Sequence, residues 1–123
     1  MLLDTNIVIY ACKPDGEWLS QWTDDPDAAI ASVTRVEALG FPGLSREEEA
    51  AIRGFVAASL CHPLDDEVIE RAIKLRQQKK MGTTDAIIAA TALEYGLPLV
   101  TRNVDDFKHV AGLQLINPFA PET

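Results

Sequence analysis

Residues 1–10, Met1-Leu2-Leu3-Asp4-Thr5-Asn6-Ile7-Val8-Ile9-Tyr10, contain a short apolar strand that ends directly in a carboxylate. Such a strand places Asp4 at its carboxyl end, the edge of an open α/β sheet where ligands and catalytic groups collect. An acid at a buried edge is costly unless a positive charge neutralises it. Asp4 is therefore the first indication of a metal ion.

Strand and helix patterns alternate along the rest of the chain. Strands are predicted at Leu2–Asp4, Ala28–Val33, Cys61–Leu64, Leu99–Thr101 and Leu113–Ile116. Helices are predicted over Asn6–Ala11 and Glu17–Thr23, from Thr34 and from Ser45, and over Asp65–Lys80 and Asp85–Tyr95, with a turn or short helix at Asp106–Phe107. This alternation predicts an α/β fold, in which a parallel central sheet of four to five strands is wrapped by helices on both faces.

Length and composition limit the classes of protein that the chain can belong to. With 123 residues and 47% hydrophobic content, residues 1–123 are expected to form a single domain. No apolar run is long enough to cross a membrane, and no secretory leader is visible, so we expect a cytoplasmic protein without a membrane partner. Cys12 and Cys61 lack the spacing of metal ligands and are expected to be small core residues.

The net charge is −8, which at first argues against a nucleic-acid partner. Proteins that bind phosphates usually present a basic face. An acidic balance also fits a metal site crowded with carboxylates, or a basic protein partner that covers the acidic surface.

Four polar side chains are expected at one edge of the predicted sheet: Asp4, Glu37, Asp85 and Asn103. Asp4 and Asn103 follow strands, and Glu37 lies a turn past another strand. Asp85 falls in the first turn of its helix, where the helix dipole favours a negative charge. The carboxyl ends of parallel strands share one crevice, so these four groups are expected to converge.

Three carboxylates and an amide oxygen form a hard, all-oxygen ligand set that suits Mg²⁺ or Mn²⁺. Zn²⁺ does not fit, because neither His62 nor His109 has ligand spacing to a second His or Cys. A divalent ion at such a site polarises a phosphodiester oxygen and generates a hydroxide nucleophile. The residues thus indicate metal-assisted phosphodiester hydrolysis.

Each of these residues also has a structural interpretation. Thr34 and Glu37 have the spacing of a helix capping box, and Asp85 is a favourable first-turn acid. Asn103 or Asp106 is a possible N-cap. The coincidence of all four at one predicted edge favours a functional site.

Five stretches resemble PIN-domain ribonucleases of the VapC type, the toxin half of bacterial type II toxin–antitoxin pairs. They are Leu3–Asn6 (LDTN), Ser32–Glu37 (SVTRVE), Thr84–Ala92 (TDAIIAATA), Leu99–Phe107 (LVTRNVDDF) and Leu115–Phe119 (LINPF). Together they span nearly the whole chain in the order and spacing of the family. The resemblance implies a PIN-like fold and an endoribonuclease that depends on Mg²⁺ or Mn²⁺, is usually a homodimer, and is silenced by a cognate antitoxin.

The resemblance also implies residue roles. Asp4 and Asp85 would be the principal metal ligands, and Glu37 would hold the metal or orient its water. Asn103 occupies a position where many relatives have Asp, which puts a second metal in doubt. Four residues would support the site, some through hydrogen bonds: Thr5, Asn6, Thr101 and Asp106, the last through a water or by orienting Arg102.

Local cations are expected to meet RNA in spite of the acidic net charge. The candidates are Arg35, Arg102 and the run Lys74, Arg76, Lys79 and Lys80, although cations at a helix end also complement its dipole. Trp18, Leu19 and Trp22 share a helix face that either packs in the core or contacts a dimer mate or antitoxin.

Two other functions remain open from the sequence. One is a PIN-type RNA-processing nuclease without an antitoxin, and the other is a catalytically weak PIN fold that binds RNA or protein. Asn103 favours the weak fold, whereas the three crowded acids argue against it. A haloacid-dehalogenase-type phosphatase needs a second Asp at position 6, where this chain has Asn6.

Overall fold

The computed structural model describes residues 1–120. Its strands are β1 (Leu2–Leu3), β2 (Ala29–Ala31), β3 (Leu60–His62), β4 (Leu99–Val100) and β5 (Leu115–Ile116). Its α-helices are α1 (Thr5–Ala11), α2 (Ser20–Thr23), α3 (Ser32–Leu39), α4 (Arg46–Ala58), α5 (Asp66–Gln78), α6 (Thr83–Glu94) and α7 (Val104–Phe107), and a 3₁₀ turn covers Glu17–Leu19.

The five strands form one parallel sheet in the order β3-β2-β1-β4-β5. Leu2 pairs with Ala29 on one side and with Leu99 on the other, so β1 is the central strand. A strand only two residues long survives at the centre because Leu2 and Leu3 are both buried, on opposite faces. The predicted α/β fold with a parallel sheet of four to five strands is confirmed.

Helices cover both faces of the sheet, as predicted. Leu2, Ala29 and Leu99 belong to a core shared with α5, α6 and α7. Leu3, Ile30 and Val100 belong to the opposite core, which α1, Trp22 of α2 and α4 complete. Alanines at 86, 89, 90 and 92 are buried, and these small side chains let α6 approach its neighbours closely.

Several predicted boundaries differ from the structure. The segment Glu17–Thr23 is a 3₁₀ turn followed by a single helical turn, not one continuous helix. Helix α3 begins directly after β2 at Ser32, which shortens the predicted strand and places Thr34 inside the helix. Helix α6 begins at Thr83, two residues before the predicted start at Asp85, and Gly82 holds its N-cap position.

The remaining global predictions have mixed outcomes. Cys12 is half-buried, but Cys61 is exposed on the edge strand β3, so its prediction as a core residue is wrong. No helix in the described part of the chain is long and apolar enough to cross a membrane. The single-domain prediction covers residues 1–123, of which 121–123 lie outside the described residues.

Candidate active site

Asp4 and Thr101 follow β1 and β4, two neighbouring strands between which the chain changes direction across the sheet. From β1 the chain proceeds outward to β3, then crosses back to β4 and proceeds outward to β5. Ligands of open α/β sheets bind at such a reversal, beyond the carboxyl ends of the strands. The topology therefore places Asp4 beside the crevice where a ligand is expected.

The Asp4 carboxylate is held on both of its oxygens. The Thr5 backbone N–H donates to Oδ1 at 2.8 Å, and the Thr101 hydroxyl donates to Oδ2 at 2.8 Å. Asp4 is only 5% exposed. Burial raises the pKa of Asp4 above its usual value, and the charges of Glu37 and Asp106 add to the rise, against the opposing effect of the two hydrogen bonds.

Glu37 is joined to this arrangement through Thr5. The Thr5 hydroxyl lies 2.5 Å from Glu37 Oε1 and 3.1 Å from the buried Thr34 hydroxyl. A hydroxyl carries a single proton, which goes to the charged carboxylate, so Thr34 in turn donates to Thr5. Thr34 therefore orients Thr5 and does not cap α3, whose N-cap residue Ala31 has no side-chain hydrogen bond. The capping-box interpretation of Glu37 is wrong.

Asp85 lies half-buried in the first turn of α6. Burial raises the pKa of Asp85 to about 6, with further contributions from the negative charges of Asp4, Asp106 and Glu37. Within the described chain its side chain makes no protein hydrogen bond. The Asp85 carboxylate is thus ionised at neutral pH but destabilised by burial and by the neighbouring negative charges, which favours a nearby cation.

Asn103 and Asp106 lie on the open side of the crevice. Both are exposed, and the Asn103 backbone N–H donates to the Thr101 hydroxyl at 3.0 Å. Asn103 holds the N-cap position of α7, but its side chain makes no capping hydrogen bond. Asp106 contributes negative charge to both Asp4 and Asp85.

The side chains fit a hard divalent cation that keeps much of its water. In residues 1–120, no three His, Cys, Asp or Glu side chains converge into a ready-made metal-binding group. Mg²⁺ does not require one, since it is commonly held by one or two carboxylates together with waters and substrate phosphates. The negative charges of four acids add up to the negative potential that attracts such an ion: Asp4, Glu37, Asp85 and Asp106.

Other predicted residues are placed differently. The Asn6 side chain is exposed on α1 and does not make the hydrogen bond expected of it within the described chain. Arg102 forms no ion pair with Asp106 within residues 1–120, and its Nη1 donates to the Tyr10 hydroxyl at 2.9 Å. Arg35 is exposed on α3, and Lys79 and Lys80 are exposed at the end of α5, with no contact to the acids.

Thr34 and Tyr10 are site neighbours that the sequence did not indicate. The signals for Thr34 were its place in the stretch Ser32–Glu37 and its spacing of three residues from Glu37, which puts both on one helix face. That spacing fitted a cap equally well. Nothing in the sequence connected Tyr10 with Arg102, which is 92 residues away.

The fold and the acids define a class: a parallel α/β domain with a carboxylate cluster at the switch point of its sheet. A profile of the PIN domain matches residues 1–113. The chain belongs to the PIN domain family.

Similarity to individual proteins extends over nearly the whole chain. Ribonuclease VapC1 of Rickettsia felis is 28% identical over 127 residues, covering 94% of each chain. A toxin–antitoxin complex from Klebsiella pneumoniae contains a chain with 30% identity and a TM-score of 0.79, covering 98% of both chains. A DNA-bound VapBC from Salmonella typhimurium shares the fold, with a TM-score of 0.80 at 23% identity over 94% of this chain and 96% of that one. The predicted resemblance to VapC-type PIN ribonucleases is confirmed.

Proposed function

We propose that this chain is a Mg²⁺- or Mn²⁺-dependent endoribonuclease that acts in the cytoplasm as the toxin of a type II toxin–antitoxin pair. One observation carries the proposal: Asp4 and Asp85, with Glu37 beside them, crowd their negative charge at the switch point of the sheet, and both have raised pKa values. Crowded carboxylates are unfavourable alone, but a bound cation offsets their charge and turns them into ligands. The similarity to Ribonuclease VapC1 supports RNA as the substrate.

Asp4 and Asp85 are the residues that we assign to cation binding, with Glu37 as a further ligand or an orienting group. When bound, a divalent cation polarises a phosphodiester oxygen and lowers the pKa of water. The Thr5 and Thr101 hydroxyls fix the directions of Glu37 and Asp4 before any ligand arrives.

Glu37 is also the group that we assign to handling the proton of the attacking water. Its Oε1 is fixed by Thr5, while Oε2 makes no hydrogen bond within residues 1–120. The fixed oxygen holds the carboxylate in place and the free one can accept a hydrogen bond or a proton. The water oxygen then forms a bond to phosphorus and the scissile P–O bond breaks. The departing oxygen takes a proton from a solvent water, and Glu37 returns the proton that it accepted to the solvent.

Arg35, Arg102, Lys79 and Lys80 are the cations that we assign to the RNA backbone, since all four are exposed. Lys79 and Lys80 form one cluster, and replacing both by Ala would weaken RNA binding and flatten its dependence on salt.

Two apolar grooves are available for protein partners. One lies between α1, α3 and α4, has a volume of about 120 Å³ and includes the exposed Phe41. An antitoxin segment bound there would contact the later turns of α1 and α3, the two helices that carry Thr5 and Glu37. The other, about 450 Å³ between α5 and α6, exposes Ile69 and Ile73 and is our assignment for a homodimer contact.

A catalytically weak PIN fold that binds RNA or protein is the second candidate. Asn103 favours it, because a neutral amide attracts a cation less than the carboxylate found there in many relatives.

Growth after induction in a bacterial host separates the two candidates. The wild-type chain, Asp4→Ala and the matched surface variant Asp105→Ala would be compared at equal soluble expression. We expect arrest by the wild type and by Asp105→Ala, but not by Asp4→Ala. Arrest by all three would favour a binding module, and growth with all three would contradict a toxin active in that host.

A further inference from the structure

Four aromatic rings form a cluster on the surface beside the candidate site. This aromatic platform consists of Tyr10, Trp18, Trp22 and Phe119. Trp18 stands nearly perpendicular to Phe119, with ring centres 4.9 Å apart, and to Trp22 at 6.3 Å. Tyr10 lies 5.2 Å from Phe119. Trp18 is 49% exposed, so much of its ring faces solvent in spite of these contacts.

The position of Trp18 is built into the fold. Gly16 lies against the end of α1, where an added Cβ would come within 2.1 Å of the Tyr10 carbonyl oxygen. Only glycine permits this approach, which turns the chain back toward α1. Leu19, directly after Trp18, is fully buried and anchors the turn. The backbone position of Trp18 is therefore fixed by the turn at Gly16 and by the buried side chain of Leu19.

Two cations accompany the rings. The Arg102 guanidinium lies 4.7 Å from the Phe119 ring centre and 5.6 Å from that of Tyr10, and Lys13 Nζ lies 5.2 Å from Tyr10. Arg102 uses one of its five N–H donors on the Tyr10 hydroxyl. The remaining donors are available to phosphate oxygens, because Arg102 is exposed.

The platform adjoins the acids along two chain paths. Arg102 directly follows Thr101, whose hydroxyl holds Asp4. Tyr10 comes six residues after Asp4, a rise of about 9 Å along α1. At about 3.4 Å per stacked nucleotide, that distance corresponds to two or three nucleotides. These spacings put the Tyr10 and Arg102 end of the platform within a few nucleotides of a strand that passes the acids.

We propose that Trp18 stacks an unpaired base of the RNA while Arg102 contacts an adjacent phosphate, so that the substrate is single-stranded next to the cleavage site. This inference rests on the proposed function. Exposed aromatic rings beside cations are the combination by which proteins bind single-stranded nucleic acid. Arg102 distinguishes the platform from the groove at Phe41, which shares Lys13 but has a mainly apolar lining that suits a protein segment.

Binding of two RNA probes tests the inference. One is a short oligoadenylate and the other an oligonucleotide of the same length without bases, both labelled and both measured in EDTA so that cleavage is suppressed. The two carry the same phosphates, so repulsion by the acids cancels in the ratio of their dissociation constants. The proteins are the wild type, Trp18→Leu and Phe41→Leu, the last removing an exposed aromatic that contacts none of the four platform rings.

We expect the wild type and Phe41→Leu to prefer the base-bearing RNA by about tenfold, and Trp18→Leu to lose that preference. Its affinity for the abasic RNA should stay the same. An undiminished preference in Trp18→Leu, or an equal loss for both probes, overturns the inference. So does a Trp18→Leu variant that loses only antitoxin binding, because the platform is then a protein surface.

Cleavage with Mn²⁺ separates this inference from the proposed function. Trp18→Leu should hydrolyse the oligoadenylate with raised KM and retained kcat. If the wild type hydrolyses RNA but shows no preference for base-bearing RNA, the proposed nuclease function stands and the stacking inference is rejected. If the wild type prefers base-bearing RNA but hydrolyses no RNA, the nuclease proposal is rejected and the stacking inference stands.

Discussion

The two sides of the acid cluster are built in opposite ways. On the Asp4 side the protein fixes the carboxylates itself: Thr101 and the Thr5 backbone hold Asp4, and the Thr5 hydroxyl holds Glu37. On the Asp85 side, Asp85 lies near the same charges, and neither its side chain nor that of Asn103 makes a hydrogen bond in the described chain. On the Asp4 side the hydrogen bonds fix the orientation of the carboxylates. On the Asp85 side the side chains are free to reorient toward a bound cation. A cation is the component that would make the two sides equally ordered.

The largest expected effect is on hydrolysis. Asp4→Asn and Asp85→Asn should each lower metal-dependent cleavage of a long single-stranded RNA by about a hundredfold or more, because each removes a charged ligand. Asp105→Asn is the control, since Asp105 is highly exposed and, among residues 1–120, its carboxylate pairs with Lys108 alone, at 3.2 Å. Full activity in Asp85→Asn would show that the open side takes no part.

The same two variants should differ in metal-free stability. Asp85→Asn removes a repelled charge and no hydrogen bond, so we expect its Tm in EDTA at neutral pH to rise by a few degrees. Asp4→Asn also relieves repulsion, but an amide cannot accept from both Thr5 and Thr101, so its Tm should rise less or fall. Equal shifts in the two variants would contradict the contrast between the sides.

Thr101→Val tests the fixed side without altering charge. The Thr101 hydroxyl donates to Asp4 and accepts from the Asn103 backbone, so its loss should cost about 1–3 kcal/mol of unfolding free energy. Cation affinity should fall about 10–100-fold, as for other groups that orient metal ligands. Thr91→Val is the matched control, because Thr91 is equally buried and donates to the Ile87 carbonyl within α6. Similar cation affinities in both variants would show that Thr101 does not orient Asp4.

The pH dependence of stability tests the open side. The pKa of Asp85 rises from 3.8 to about 6 on folding, so the folded protein binds more protons between these values. The stability that Asp85 contributes is present below 3.8 and is lost as the pH rises through about 6. The Tm advantage of Asp85→Asn over the wild type in EDTA should therefore grow from pH 4.5 to pH 7.5. A constant difference would mean that neither burial nor the neighbouring acids raise the pKa of Asp85 on folding.

Asn103→Asp should have the smallest effect. An added charge on the open side should tighten divalent-cation binding about fivefold, equal to the roughly 1 kcal/mol between a unit charge and a divalent cation about 8 Å apart in water. Titration with Mn²⁺ measures this change. Weaker binding in Asn103→Asp would place residue 103 outside the reach of the cation.

The sheet was predictable from the sequence because it is buried on both faces. Uninterrupted apolar runs at Leu2–Leu3, Ala29–Ala31 and Leu99–Val100 identify its strands, and helical patterns between them require a parallel arrangement. Exact boundaries were not predictable, since strands of two or three residues have ends that hydrogen bonding decides. The prediction of one helix over Glu17–Thr23 was wrong. The apolar spacing of this segment suits a helix, but after the turn at Gly16 it forms only a 3₁₀ turn and a single helical turn.

The site was predictable only as far as the strand ends. Asp4 and Thr101 follow strands, and the topology brings them together, as the sequence suggested. Thr34 had a local interpretation as a cap that the earlier start of α3 invalidates. The partner of Arg102 was not predictable, because its contacts with Tyr10 and Phe119 depend on how α1 and the chain after β5 pack.

Calorimetric titration of Mn²⁺ into the wild type, Asp85→Asn and Asp105→Asn tests most directly whether the two sides form one cation site. It requires no knowledge of the RNA. We predict that the wild type and Asp105→Asn bind Mn²⁺ alike and that Asp85→Asn binds it at least about tenfold more weakly. Equal binding by Asp85→Asn and the wild type, or no binding by the wild type, would contradict the account.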